Sequence, residues 1–290
     1  DSGTGPIIST QPEEMQAMPI RLALNRTCAP QLPLDAFIAL ATSVGVQAVE
    51  IRNDIEGREF ADGTPARDVR ARLQDAGLEV ASVNALQRFN DWSPARANEA
   101  EAIIACAAAL GAPGVVLCPV HDKDHGWTEA ECEKNLRDGL RQLRPILLAH
   151  GITGYVEPLG MTGSTMKRQD MAVAAVGDVD GWDAFKLCYD TFQYFRCGDT
   201  QLFPQHIGLA HMSGIARTDL APGDLAEPDR GLIFVGDRVG NIAQLRGLKA
   251  AGYAGFVSME PFSPEVQNDP DLAAHLRASL DYVSTLLKAA

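Results

Sequence analysis

Long apolar runs are missing from this 290-residue chain. No stretch reaches the roughly 18 consecutive apolar residues that a membrane-spanning helix needs, so a membrane span is not expected. Positive charge is short as well: 25 Lys and Arg face 38 Asp and Glu, for a net charge of −13. The basic residues are scattered, and so acidic a surface repels phosphate backbones and anionic headgroups. Nucleic acid and membranes are therefore not expected partners. No GxGxxG follows the first apolar run, which weighs against a dinucleotide-binding sheet. No CxxC pair occurs among the six cysteines. Several of them sit in apolar stretches (IIACAAAL, GVVLCPV, FKLCYD), where a free thiol behaves as a small hydrophobe. All six are read as reduced, as suits a cytoplasmic protein. The opening DSGTGPIISTQPEEMQA has neither a basic start nor an apolar core, so it is not a secretory signal. Residues 1–17 read as a flexible or added tail, and 18–290 as a single domain.

What is present is a repeat. An amphipathic stretch ends in glycine, and a short apolar run follows, as in SVGVQAVEIR, DAGLEVASVNA, ALGAPGVVLCPV, AHGITGYVEP and AAGYAGFVSMEP. Gly45, Gly77, Gly111, Gly151 and Gly252 fit the left-handed position after a helix. The apolar runs show no clean polar alternation, which suits parallel strands buried on both faces. Eight are expected: Ile20–Asn25, Gln47–Arg52, Leu78–Asn84, Gly114–Val120, Ile152–Glu157, Phe185–Asp190, Ile207–His211 and Gly255–Glu260. Helices are clearest at Leu34–Val44, Pro65–Ala76, Pro94–Leu110, Glu129–His150, Asn241–Ala251 and Asp271–Leu287. Eight alternating units point to an α/β fold of the closed (β/α)8 kind, a TIM barrel, rather than an open sheet. The longest irregular segment, Ser213–Gly240, follows the seventh strand and is expected over the barrel mouth.

Barrel active sites lie at the C-terminal ends of the strands. Here four successive runs end in metal-ligand types: Glu157 after GYV, Asp190 after KLCY, His211 after IGLA and Glu260 after FVSM. A charge in such a place is expensive unless it pairs or binds a cation. Three carboxylates at one mouth repel, and a divalent cation resolves the repulsion. Carboxylate and imidazole donors suit Mn²⁺, the first expectation, and also Zn²⁺, Mg²⁺ or Co²⁺. Alone, any one of these acids reads more readily as a helix cap or ion-pair partner; the set of four carries the metal reading. Arg217, six residues past His211, is placed near substrate, as are Arg52 and Asn84 at the ends of strands two and three. Glu50 and Arg52 read equally as a structural pair. His150, His206 and His275 read as structural; His121 and His125, after strand four, could line the pocket but read more readily as a solvated loop. Trp92 and Trp127 are candidates for the pocket wall or for packing.

With these residues placed, the chain resembles the xylose-isomerase-like barrel superfamily and its sugar phosphate isomerase/epimerase branch. It looks most like the 2-keto-myo-inositol, or inosose, isomerases. The segments that carry the likeness are AVEIRNDIEG, VNALQRFNDW, YVEPLG, CYDTFQYF, LAHMSGI, DRGLIFVGDRVGNI and SMEPFSPEV. The resemblance implies that Glu157, Asp190, His211 and Glu260 hold one divalent metal and that Glu157 and Glu260 also move protons. Many relatives carry His three residues after the strand-six Asp; this chain has Gln193, which can bind substrate but cannot titrate.

The expected activity is isomerisation of a polyhydroxy ketone, of the 2-keto-myo-inositol to 1-keto-D-chiro-inositol type, in inositol catabolism. Glu260 is read as the base and Glu157 as its partner. An inosose dehydratase or a ketose 3-epimerase uses the same apparatus. A non-catalytic sugar-binding barrel is the rival of another class, and filled ligand positions speak against it. A DNA-directed abasic-site endonuclease is disfavoured by the acidic charge and by only six histidines. The apolar Leu286–Leu287 is compatible with a homo-oligomer.

Overall fold

Each apolar run of the repeat forms a strand, and the strands pair in chain order. They are β1 (Arg21–Asn25), β2 (Ala48–Arg52), β3 (Glu79–Leu86), β4 (Gly114–Leu117), β5 (Thr153–Val156), β6 (Phe185–Asp190), β7 (Ile207–Met212) and β8 (Phe256–Met259). All pairings are parallel, and β8 returns to β1 through the register Arg21↔Phe256 to Leu24↔Met259, closing the barrel. The architecture is the (β/α)8 barrel expected from the eight runs. This computed structural model describes residues 20–288, so the tail assigned to residues 1–17 lies outside it. Among the described residues no helix is long and apolar enough to cross a membrane.

The first four helices are α1 (Leu34–Val44), α2 (Ala66–Asp75), α3 (Pro94–Leu110) and α4 (Glu129–His150). They start and stop where local chemistry dictates. Ser93 accepts the Arg96 N–H ahead of α3, with Pro94 in the first turn, where its missing N–H is harmless. Thr128 and Glu131 form a reciprocal capping box that starts α4. The glycines expected at helix ends all have positive φ, from +65° at Gly151 to +88° at Gly252. That conformation is costly for any residue with a Cβ and terminates the helix there.

The remaining helices are α5 (Gln169–Asp178), α6 (Thr191–Cys197), α7 (Asn241–Ala250), α8 (Pro264–Gln267) and α9 (Leu272–Lys288). Helices α5 and α6 have weak sequence signals for physical reasons. The buried face of α5 is made of small residues, with Ala172 and Ala175 beside Val176. Helix α6 is seven residues long and is capped by Asp190, the last residue of its own preceding strand.

Among the described residues the apolar interior has three parts, one of them a small cluster of Phe192, Ile215, Leu225 and Val239 between α6 and the loop after β7. Leu, Ile, Val and Phe side chains fill the shell between strands and helices. Inside the barrel a smaller plug forms from Ala23, Ala48, Ala81, Val116, Tyr155, Cys188, Leu209 and Phe256. Above this plug, at the C-terminal ends of the strands, the interior turns polar.

Candidate active site

Side chains two apart on a strand share a face. The inward positions directly above the plug are therefore Asn25, Glu50, Ser82, Asn84, Asp190 and His211, joined by Glu157 and Glu260 just past β5 and β8. All eight are buried. Glu157, Asp190, His211 and Glu260 come together: one ligand-type atom from each lies within 4.8 Å of all the others. His211 Nδ1 is 3.1 Å from Glu157 Oε1 and 3.1 Å from Glu260 Oε2. Three carboxylates and an imidazole nitrogen in one buried space are a donor set that fits a divalent cation of the Mn²⁺ or Zn²⁺ type.

The carboxylates are held differently. Asp190 caps α6, its Oδ1 accepting the N–H groups of Phe192 at 2.7 Å and Gln193 at 3.2 Å. Its Oδ2 takes Arg230 Nη2 at 2.7 Å. Glu260 accepts from Asn25 at 3.1 Å, Arg52 at 3.3 Å and Arg230 at 3.0 Å. Burial alone would raise its pKa, but His211, Arg230 and Arg52 outweigh burial and hold it down at about 2. Among the described residues Glu157 has no arginine partner, and burial pushes its pKa up against the pull of His211. Two glutamates at one histidine nitrogen thus sit in environments that drive their proton affinities apart.

These groups open into a pocket of about 150 Å³ whose walls include Arg52, Asn84, Gln193, Glu227, Arg230 and Phe262. Three of the four residues expected at the substrate are there. Arg52 makes a fork to Asp54, at 2.8 and 2.6 Å, and turns its third nitrogen to Glu260. It does not pair with Glu50. Gln193 accepts the Gly160 N–H at 2.9 Å and donates to Glu227 at 3.1 Å, tying the loop after β5 to the loop after β7.

Arg217 is the exception. Its side chain is 49% exposed and is spent on Asp219 and Asp229, away from the pocket. Arg230 occupies the pocket instead, buried and shared among Asp190, Glu227, Glu260 and Ser213. The bridge between Gly214 and Gly231 folds the long loop back on itself and carries Arg230 inward. The only sequence signal for it is its place in the segment DRGLIFVGDRVGNI. The loop does reach the mouth, as its length and position suggested.

Other placements differ from expectation. Trp92 and Trp127 line a separate polar cleft between the start of α3 and α4, and Phe262 is the aromatic wall of the pocket. His121 lines the pocket rather than lying in a solvated loop. Two cysteines read as core residues touch the site: Cys118 Sγ lies 3.5 Å from Glu157 Oε2, and Cys188 Sγ 3.6 Å from His211 Nδ1. The other three expected structural histidines are occupied elsewhere, His150 with Glu101 at 2.7 Å, His275 with Asp269 at 2.5 Å, and His206 stacked on Trp182.

A family profile described as xylose isomerase-like TIM barrel matches residues 38–283. The chain belongs to that family. Among curated relatives of this family member, an inosose isomerase from Halalkalibacterium halodurans is 26% identical over 231 residues, covering 76% of this chain and 80% of the relative. A xylose isomerase domain-containing protein from Salmonella typhimurium superposes with a TM-score of 0.83 at 26% identity, covering 92% of this chain and 97% of its own. The IolI protein, solved with a bound zinc atom, superposes with a TM-score of 0.82 at 21% identity, covering 92% and 98%.

Proposed function

We propose that this family member is a metal-dependent isomerase that shifts the ketone of an inosose to the neighbouring ring carbon. The observation that carries the reading is the pairing of Glu157 and Glu260. Both are buried, both lie 3.1 Å from the same nitrogen of His211, and both face one small pocket. Glu157, Asp190, His211 and Glu260 would hold one divalent cation. When bound, that cation supplies Lewis acidity toward a carbonyl and its neighbouring hydroxyl. Zinc in the IolI neighbour makes Zn²⁺ a cation to test beside Mn²⁺.

The chain's own groups then account for the proton movements. Glu260, kept ionised by Arg52 and Arg230, takes the proton from the carbon beside the ketone. The electron pair of that C–H bond becomes the double bond of an enediol. Glu157, held in surroundings that favour its protonated form, returns a proton to the former carbonyl carbon. Over the two steps the carbonyl π pair moves onto its own oxygen, which takes up the proton that the neighbouring hydroxyl gives up, so the former carbonyl ends as a hydroxyl and the neighbouring hydroxyl becomes the new ketone. Arg230 and Arg52 donate toward oxygen as its charge develops, the kind of preorganised stabilisation that commonly dominates such steps. Asn84 and Gln193 present amides to ring hydroxyls, and Phe262 offers an apolar face to the ring's C–H side.

Proton NMR in D₂O with scyllo-inosose and Zn²⁺ or Mn²⁺ tests the reading. Deuterium at the carbon beside the ketone together with a new keto-inositol is the expected result. Loss of water to a diketone would mark a dehydratase, and no exchange with any inosose would overturn the substrate class. The epimerases among the fold neighbours, such as D-psicose 3-epimerase from Clostridium cellulolyticum (TM-score 0.71, 16% identity), make a ketose the second substrate to try.

A further inference from the structure

We propose that Glu50 is a positioning residue: its carboxylate holds the His211 imidazole with Nδ1 facing Glu157 and Glu260, and so tightens the site for a divalent cation. The inference rests on the metal-site reading above.

Glu50 sits on β2, across the barrel interior from β7, and is fully buried. It does not belong to the converging set of four. Its Oε2 lies 3.0 Å from His211 Nε2 and accepts Ser82 Oγ at 2.5 Å and Asn84 Nδ2 at 2.7 Å. Its Oε1 accepts Asn25 Nδ2 at 3.1 Å. Among the described residues no Arg or Lys pairs with it; His211 is its only ion-pair partner. A carboxylate taken wholly out of water without a cation is expensive, and an apolar side chain would fill this layer without that cost.

What Glu50 accepts explains its presence. An ionised carboxylate can only accept, so the imidazole nitrogen that faces it must carry the proton. Glu50 thus keeps a proton on Nε2 and turns Nδ1, the nitrogen that must shed its proton to bind a cation, toward Glu157 and Glu260. Asn25 from β1 and Ser82 and Asn84 from β3 grip the carboxylate from both sides, so neither it nor the ring can turn. A carboxylate behind a ligating histidine typically contributes about 10–100-fold in metal affinity. Were Glu50 only a packing hub, its replacement would lower stability and leave the cation affinity of the site alone.

Zn²⁺ titration calorimetry on chelator-stripped full-length protein, with ¹⁵N NMR of the histidine ring nitrogens, separates the possibilities. Wild type is expected to take up one Zn²⁺, and Glu157→Gln to lose most of that affinity. Glu50→Gln is expected to bind Zn²⁺ about 10–100-fold more weakly. In the Zn²⁺-loaded protein the His211 Nε2–H signal should then shift, because its proton faces a neutral amide instead of a carboxylate. Wild-type affinity and unchanged Zn²⁺-loaded His211 ring signals in Glu50→Gln, beside a defective Glu157→Gln, would overturn the role of Glu50 while leaving the metal site intact. No Zn²⁺ uptake by wild type would overturn both. If Glu50→Gln does not fold, Ser82→Ala decides. It loosens one side of the grip and should weaken Zn²⁺ binding in the same direction by a smaller factor; unchanged affinity there would remove the proposal.

Discussion

Two layers of the barrel interior, one residue pair apart, differ in almost everything but backbone. The lower layer holds Ala23, Ala48, Tyr155, Cys188, Leu209 and Ser258; two positions further along the same segments stand Asn25, Glu50, Glu157, Asp190, His211 and Glu260. Residues of both layers are buried. Below, all but Ser258 belong to the packed plug, and shape governs. Above, each polar group is held by named partners, and removing one leaves others unpaired in a space without bulk water. Stability is concentrated in the first layer and chemistry in the second.

The comparison predicts that substitutions in the two layers fail in different ways. The largest effect is expected from Glu260→Gln, about 10²–10⁴-fold in kcat, with little change in melting temperature. Turnover assays beside a thermal melt check it, and near-full activity would remove Glu260 as the base. Next comes Arg230→Met, expected to cost about 10²–10³-fold in kcat through the lost donor to developing charge. Arg230 also separates Asp190 from Glu260, so relief of that activity loss by excess cation would point to repulsion rather than to donation. Leu209→Ala should reverse the pattern. It opens a cavity in the plug at a cost of about 2–5 kcal/mol in chemical denaturation, while activity per folded molecule falls far less than in Glu260→Gln. The smallest effect belongs to Arg217→Met, outside both layers. Its pairs are solvent-exposed, so kcat/KM should stay within about twofold and stability within about 0.5 kcal/mol. A large loss there would mean that the loop after β7 adopts another arrangement when substrate binds.

The contrast between Arg217 and Arg230 shows where sequence reading stops. Arg217 is close to His211 in the chain, and chain proximity was the available argument. Arg230 lies 19 positions beyond His211, and only the Gly214–Gly231 bridge returns it to the pocket. No local preference encodes that bridge. It depends on close backbone approach, for a Cβ on Gly214 would lie 2.2 Å from the Leu232 carbonyl oxygen. The tryptophans, read as pocket wall or as packing, stay away from the pocket for a related reason, and Trp92 packs against the apolar shell. They stand near the ends of the right strands, but the loops that hold them turn outward.

The sequence alone determined the barrel, because eight apolar runs with glycine-ended helices between them leave few ways to bury their faces. It also determined that Glu157, Asp190, His211 and Glu260 would meet, because parallel strands bring their C-terminal ends to one rim. Only the tertiary structure decided which groups touch across that rim. The contact of Glu50 with His211 spans 161 positions, the thiols of Cys118 and Cys188 lie against ligand side chains, and Arg230 bridges two carboxylates. Such contacts, those of Cys118 with Glu157 and Cys188 with His211 among them, depend on strand stagger and loop path, which follow from packing of the whole chain and leave no periodic trace in any one segment.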